Sequence, residues 1–163
     1  MRVLGVDPGT ATTGYAVVME EEGRLQVVTL GVVTTPAKTP LPIRLQQIYQ
    51  DLSEVVEMHR PDAAAVEELF FSRNARTAMS VGHARGVTLL ALINAGLPIA
   101  EYTPMQVKQA VTGYGNADKH QVQEMVRVLL NLRDIPRPDD AADAAAVAIC
   151  YLHRVKLDSL LEG

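Results

Sequence analysis

The sequence lacks the residues on which several common classes of protein depend. It has one cysteine, Cys150, and no tryptophan among 163 residues, so an internal disulfide is impossible and a reducing compartment fits. No apolar run approaches the roughly 18 residues that a membrane-spanning helix needs, and no charged segment followed by an apolar one marks a secretory signal. We therefore expect a cytoplasmic protein with no membrane contact, in which Cys150 is a small apolar residue of a helix core.

Zinc ligands and a strong positive charge are also scarce. The four histidines are scattered and cannot combine with a single cysteine into a usual zinc set. The net charge of −4 argues against a nucleic-acid partner, but residues 69–133 hold seven of the basic residues and only three acidic ones. Charge alone leaves open whether this basic middle is a phosphate-binding face or a chance partition on a solvated surface.

What is present suits one folded domain, residues 1–163, with 48% apolar residues. Periodicity and turn residues predict the order β-β-β-α-β-α-β-α-α-α. The predicted strands are 2–7, 14–19, 25–33, 63–68 and 99–102. The predicted helices are 42–59, 75–94, 104–112, 119–130 and one from Asp139 or Asp140 to about Arg154. Short links favour an antiparallel meander, and helical crossovers add parallel strands, so we expect an α/β fold with a mixed five-stranded sheet flanked by helices.

The first predicted strand ends on a carboxylate. The apolar segment before Asp7 is followed by a turn on Pro8 and Gly9 and by a small, hydroxyl-rich stretch. An acid at the end of a buried strand is costly unless something pairs with it. A metal ion or a metal-bound phosphate is a common partner at such a position.

Further carboxylates lie in two other predicted elements, a helix and a strand. Asp140 and Asp143 are three residues apart on the helix face that continues through apolar residues, which favours a position against the sheet. The alternative is simple helix capping by Asp139 and Asp140. Glu67 and Glu68 close the fourth strand, and alternation does not choose between them because both faces of that strand are apolar.

Such acids can converge at one end of the sheet, where they would repel each other and need cations. Two Mg²⁺ ions roughly 4 Å apart would neutralise the cluster, activate a water molecule and stabilise a leaving oxygen; Mn²⁺ is a possible substitute. This chemistry is that of phosphodiester hydrolysis.

Four segments together resemble the RuvC-type Holliday junction resolvases. In chain order they are GVDPGTATTGYAVV, AAVEELFFSRNARTAMSVGHARGV, YTPMQVKQAVTGYGNADKHQVQEMV and DDAADAAAVAI. The resemblance covers about residues 2–153. It implies a ribonuclease-H-like fold and Mg²⁺-dependent, symmetric nicking of four-way junction DNA. It places the catalytic, metal-binding acids at Asp7, Glu67, Asp140 and Asp143, and so chooses Glu67 over Glu68.

The resemblance also implies roles for residues of the basic middle. Lys108 and Lys119 match family lysines that act near the scissile phosphate or bind DNA; Lys119 also starts a helix, where backbone N–H groups can bind phosphate. Taken alone, each lysine reads as a solvated surface charge. Phe70 matches an aromatic that stacks on an unpaired base at the junction centre, although Phe70 or Phe71 could instead be a core anchor. Arg73 and Arg76 are candidate phosphate contacts.

The family is homodimeric, and the resemblance implies that residues 75–94 form the dimer contact. A two-fold dimer would present two active sites to two strands of like polarity. Small residues that pack within one subunit are the alternative explanation of this helix. The family's usual further partner is a branch-migration motor of the RuvA-RuvB type.

Two other functions compete with the nuclease hypothesis. Asp7-Pro8-Gly9-Thr10 also resembles the first phosphate loop of sugar-kinase and actin-like ATPases, although these need two lobes around the nucleotide. A catalytically idle junction-binding module is the other alternative, but such a module has no chemical need for four clustered carboxylates.

Overall fold

The computed structural model describes residues 1–68 and 74–163, and within these ranges the chain forms five strands and five helices. The strands are β1 (Arg2–Asp7), β2 (Thr12–Glu21), β3 (Arg24–Thr34), β4 (Ala63–Glu67) and β5 (Ile99–Tyr102). The helices are α1 (Leu41–His59), α2 (Ala75–Asn94), α3 (Pro104–Thr112), α4 (Lys119–Leu129) and α5 (Asp139–Leu161). In the described part of the chain, no helix combines the length and the apolar content needed to cross a bilayer.

The strands form one mixed sheet in the order β3-β2-β1-β4-β5. β1 pairs antiparallel with β2, and β2 with β3, while β4 and β5 join in parallel through helical crossovers. The predicted meander, its parallel extension and the order of elements are therefore confirmed. β1 and β4 run in parallel side by side, so their carboxyl ends, Asp7 and Glu67, meet at the same edge of the sheet.

Alternation along the central strands divides the core into two clusters. Leu4 and Val6 of β1 face α1 and α2, while Val3 belongs to the cluster that contains α5. The face toward α1 and α2 is built from large aliphatic side chains, and the face toward α5 is rich in alanine. Cys150 is buried in this second cluster, as predicted.

The main departure from the predicted elements is the length of α5. The helix does not end near Arg154 but continues to Leu161. Its last turns are exposed to solvent, and the stretch from Val155 to Leu161 contains no glycine or proline that would end a helix. The helix therefore continues beyond its packed part, because no residue ends it there. The other boundaries differ by at most two residues, as at β2, which begins at Thr12.

Candidate active site

Three carboxylates meet where β1 ends and α5 begins. One oxygen from each of Asp7, Asp140 and Asp143 lies within 4.8 Å of the others. Asp7 is the last residue of β1, and the two other acids lie one helical turn apart in the first turns of α5. The three side chains are partly buried, so they are held by the fold and still reachable from solvent.

Two glycines allow α5 to lie close enough to the sheet for this meeting. A Cβ atom on Gly14 would stand 1.9 Å from the backbone oxygen of Asp140, and one on Gly5 would stand 2.1 Å from that of Ala144. Gly14 is the β2 partner of Asp7 in the sheet. The backbone of α5 therefore occupies the space that any other residue at these two positions would fill.

Glu67 joins the cluster through Asp7. It follows Ala65 by two residues on β4, and Ala65 belongs to the core cluster that contains α5. A side-chain hydrogen bond joins the carboxyl groups of Asp7 and Glu67, and it raises the pKa of Asp7 and lowers the pKa of Glu67. Glu68 lies beyond the strand, where its backbone N–H donates to the Tyr102 carbonyl at 2.7 Å. Strand alternation thus separates the two glutamates that the sequence left equivalent.

Helix capping does not account for the acids of α5. The residue before the helix is Pro138, and no side chain makes a capping hydrogen bond there. Asp139 instead lies 3.0 Å from the Lys119 ammonium. The capping alternative therefore fails for Asp139 and Asp140, and the side chain of Asp140 lies with the other two acids.

The two lysines lie beside the carboxylates. Glu67, Lys108, Lys119 and Asp143 line one cavity of about 250 Å³, together with apolar residues of α3, α4 and α5. Lys108 is on α3, which begins with a capping box between Thr103 and Gln106. Lys119 is the first residue of α4. The positive charges of both lysines lower the pKa of Glu67, opposing the larger effect of burial.

The start of α4 is capped by a side chain. Asp118 caps the helix and accepts a hydrogen bond from the Gln121 N–H at 2.8 Å. The Gln121 N–H is therefore already satisfied, and Lys119, the first residue of the helix, lines the cavity. Arg76 is exposed in the first turn of α2. Phe70 and Arg73 lie outside the described residues.

Comparison with known proteins identifies the origin of this arrangement. The family model described as "Crossover junction endodeoxyribonuclease RuvC" matches residues 3–151. The chain belongs to the RuvC family. The RuvC protein of Syntrophomonas wolfei is 56% identical over 163 residues, covering 100% of this chain and 95% of the relative. That of Chloroflexus aurantiacus is 59% identical over 153 residues, covering 94% and 93%.

A solved structure of a RuvC protein has the same fold. The structure of Thermus thermophilus RuvC in complex with Holliday junction substrate matches with a TM-score of 0.93 and 40% sequence identity, covering 97% of this chain and 96% of the other. The predicted ribonuclease-H-like class is confirmed by this match. The acid cluster of the present chain therefore lies on the scaffold of a RuvC nuclease.

The electrostatics of this RuvC-family site favour cations. Burial, followed by the charges of Glu67 and Asp143, raises the pKa of Asp7 to about 9. Burial also raises the pKa of Glu67 and of Asp143 above their usual values. A cluster that holds protons so strongly is short of positive charge.

The donor set fits a hard divalent ion. The described ligand atoms are carboxylate oxygens from Asp7, Asp140 and Asp143, with no histidine or cysteine in the cluster that the structure describes. Oxygen-only sets suit Mg²⁺ and Mn²⁺, whereas zinc prefers nitrogen and sulfur ligands. A metal ion would replace the protons that the cluster holds without it.

Sequence reasoning missed the hydroxyl groups that fix the turn after Asp7. Thr10 donates to the Ser80 carbonyl at 2.5 Å, and the Ser80 hydroxyl donates back to Thr10 at 2.9 Å. Thr13 donates to the Gly9 carbonyl at 2.6 Å. The hydroxyl-rich composition of the turn was the available signal, but nothing in the sequence named α2 as the partner.

Proposed function

We propose that this protein is a structure-selective endonuclease that resolves four-way DNA junctions by paired, symmetric, Mg²⁺-dependent hydrolysis of phosphodiester bonds. The observation that supports this proposal most directly is the meeting of Asp7, Asp140 and Asp143 within 4.8 Å on a RuvC scaffold. The matched Thermus thermophilus protein was solved with Holliday junction substrate, which favours the same substrate here.

In this proposal Asp7, Glu67, Asp140 and Asp143 are the catalytic acids and hold two Mg²⁺ ions, with Mn²⁺ able to replace them. Bound divalent ions would supply Lewis-acid charge that activates water and stabilises the leaving oxygen. The carboxylates orient these charges from rigid elements, because β1, β4 and α5 are fixed by the core.

The lysines and arginines bind the substrate. The Lys119 ammonium lies at the rim of the cavity beside Asp143, and it contacts the scissile phosphate and takes part in catalysis. Lys108, which is on α3, binds DNA. Arg73 and Arg76 contact backbone phosphates further along the strand, and Phe70 stacks on an unpaired base at the junction centre. We further propose that residues 1–163 act as one nuclease domain.

The test of this function is cleavage of a synthetic four-way junction. Each strand is labelled in turn, and the junction is incubated with protein and Mg²⁺ beside a linear duplex of the same sequence. Symmetric paired nicks that ligase can seal are the expected result. Junction binding without nicks, across several sequences and both metals, would instead indicate the idle binding module. Because only purified protein is present, the same assay shows whether a branch-migration motor of the RuvA-RuvB type is required.

Neighbouring glutamates supply a matched pair of variants. Glu67→Gln and Glu68→Gln remove the same charge from adjacent positions, but only Glu67 shares a hydrogen bond with Asp7. We expect Glu67→Gln to lower cleavage at least about 100-fold with junction binding retained, and Glu68→Gln to cleave at the wild-type rate. Equal cleavage by both variants would contradict the assignment of Glu67.

The competing ATPase hypothesis receives no support from the turn after Asp7. In phosphate loops, hydroxyls and backbone N–H groups are directed at the ligand. Here the hydroxyls of Thr10 and Thr13 donate to carbonyls of the protein, and both side chains are buried. Absence of ATP binding by calorimetry is the expected result.

We also propose that α2 forms a two-fold dimer contact. Its exposed face contains three large apolar side chains, and a Cβ atom on either of two glycines there would meet nothing within 4 Å. The five residues follow a helical spacing and so form one stripe: Met79, Gly82, Gly86, Leu90 and Ile93. A solvent-exposed apolar stripe with room for close approach fits a second copy of the same helix.

Leu90→Glu tests this contact. A charge buried at a two-fold axis meets its own copy, so we expect a monomer by analytical ultracentrifugation and single, unpaired nicks in the junction. Leu160→Glu is the control, because Leu160 is a similarly exposed leucine at the far end of α5. A Leu90→Glu protein that still sediments as a dimer would exclude α2 as the contact.

A further inference from the structure

Asp139 is an acid beside the cluster that has a different set of contacts. Its carboxylate lies 3.0 Å from the Lys119 ammonium and accepts a hydrogen bond from the Gln123 side-chain amide at 3.1 Å. The Arg137 guanidinium lies 4.0 Å away. Asp139 is the first residue of α5 and makes no capping bond. Its side chain instead contacts Lys119, Gln123 and Arg137.

The two α4 partners of Asp139 are on one face of that helix. Lys119 and Gln123 are four residues apart, which places them one above the other. The Gln123 amide thereby fixes one carboxylate oxygen, and the other oxygen is left for the lysine. The beginnings of α4 and α5 are joined through this one carboxylate.

A lysine in this place needs a restraint. The Lys119 side chain is 58% exposed, and a long, flexible ammonium loses much conformational entropy when it is held in one position. Asp143 and Asp140 also attract its charge. Without Asp139, the ammonium would be distributed between solvent and the acid cluster instead of remaining at the rim of the cavity.

We propose that Asp139 is a positioning residue that holds the Lys119 ammonium at the rim of the acid cluster, where the scissile phosphate would meet it, and that Gln123 orients the Asp139 carboxylate for this purpose. The inference rests on the proposed nuclease function. It assigns to Asp139 no contact with DNA or metal, and it makes the effect of Asp139 depend entirely on the presence of Lys119.

A double-mutant cycle tests this dependence. Single-turnover junction cleavage is measured for the wild type, Asp139→Asn, Lys119→Gln and the double variant, and junction affinity is measured without metal. We expect Asp139→Asn to slow cleavage about two- to five-fold, within the range of a solvent-exposed ion pair, with affinity changed less than two-fold. In the Lys119→Gln background, we expect Asp139→Asn to cause no further slowing.

Three further variants make the cycle specific. Asp134→Asn removes an acid from the loop before α5 whose charge acts on Arg127, and wild-type cleavage is expected. Gln123→Ala should slow cleavage less than Asp139→Asn does and should also be silent without Lys119. Asp139→Glu keeps the charge and should recover part of the rate.

Independent, multiplicative slowing by Asp139→Asn and Lys119→Gln would overturn the proposal, since Asp139 would then act on the helix start or on the DNA itself. A fall in urea midpoint that accounts for the lost rate would overturn it too. Failure of the wild type to nick junctions is a separate outcome, because it would refute the nuclease function and not the coupling alone.

Discussion

The two faces of the sheet are built from side chains of opposite size. Toward α1 and α2 the core consists of large aliphatic residues, including Leu4, Ile48, Leu52 and Leu92, each fully buried. Toward α5 the core is rich in alanine, and Gly5 and Gly14 of the strands lie in direct approach to the helix backbone. The helix backbone therefore comes closest to the strands on the α5 face, at these two glycines.

The two faces differ in what they contribute: the face toward α1 and α2 contributes stability, and the face toward α5 holds the acid cluster. Large apolar side chains contribute most of the free energy that burial provides, and they keep α1 and α2 at a distance from the sheet. Aspartate is short, so two aspartates on a helix reach a third on a strand only if the helix lies close. The α5 face gives up side-chain volume for that proximity and holds acids with raised pKa values, which destabilise it at neutral pH.

The largest expected effect comes from Gly14→Ala compared with Leu52→Ala. The added methyl group meets the Asp140 carbonyl, so α5 must shift, and we expect a loss of at least about 2 kcal/mol in the free energy of unfolding, typical of overpacking. Leu52→Ala should cost a comparable or larger amount, about 2–5 kcal/mol, by leaving a cavity.

Cleavage by the folded protein distinguishes the two variants. At a temperature where urea titration shows both to be folded, we expect Gly14→Ala to lose junction cleavage at least about 100-fold and Leu52→Ala to retain it. Retained cleavage in Gly14→Ala would mean that close approach of α5 is not what assembles the cluster.

An intermediate effect is expected from pH in the absence of metal. The folded pKa of Asp7, about 9, lies above its unfolded value, so folding takes up a proton between about pH 4 and pH 9. Metal-free stability should therefore fall as pH rises through this window, by at most about 1.4 kcal/mol per pH unit for each proton. Thermal unfolding in EDTA between pH 5 and pH 8.5 measures the slope.

Asp7→Asn and added Mg²⁺ are the controls for that slope. The amide cannot ionise, so the variant should be more stable than the wild type at pH 8.5 without metal, and its slope should be shallower. Mg²⁺ competes with the protons, so its stabilising effect on the wild type should grow with pH. A wild type that becomes steadily more stable from pH 5 to pH 8.5 in EDTA would contradict the raised pKa.

The smallest expected effect comes from Ser80→Ala, which tests the face of the sheet toward α1 and α2. Ser80→Ala removes the hydroxyl that donates to Thr10 at 2.9 Å but leaves the Ser80 carbonyl, which Thr10 uses as acceptor. We expect a loss of about 0.5–1.5 kcal/mol in the free energy of unfolding, with cleavage unchanged, because no cluster acid moves. A large loss of cleavage would show that α2 positions Asp7 as α5 positions the other acids.

The sequence predicted the elements and their order because apolar periodicity and the turn residues agree along the chain. It did not predict the end of α5, because no glycine or proline interrupts the helix between Arg154 and Leu161. It also could not separate Glu67 from Glu68, because the preceding alanines and valine are apolar on both faces. The structure resolves that choice through the register of β4 beside β1.

Contacts between distant segments escaped prediction for a different reason. Gly14 and Asp140 are in different elements, and only the folded structure shows that Gly14 leaves space for the backbone of Asp140. The same holds for Thr10 with Ser80 and for Asp139 with Lys119. Local patterns carry no information about such pairs. The family resemblance implied the acids and the two lysines, but it did not name Gly14, Ser80 or Asp139.

The position of α5 in the chain has a consequence for protein synthesis. Asp7 lies on β1, and Asp140 and Asp143 lie on α5, so Asp7 leaves the ribosome well before the other two acids. The sheet strands can all be translated before these two acids exist, yet the cluster is absent until α5 emerges and lies on β1 and β2. A nascent chain that ends before α5 therefore carries the strands of the scaffold without the complete acid cluster.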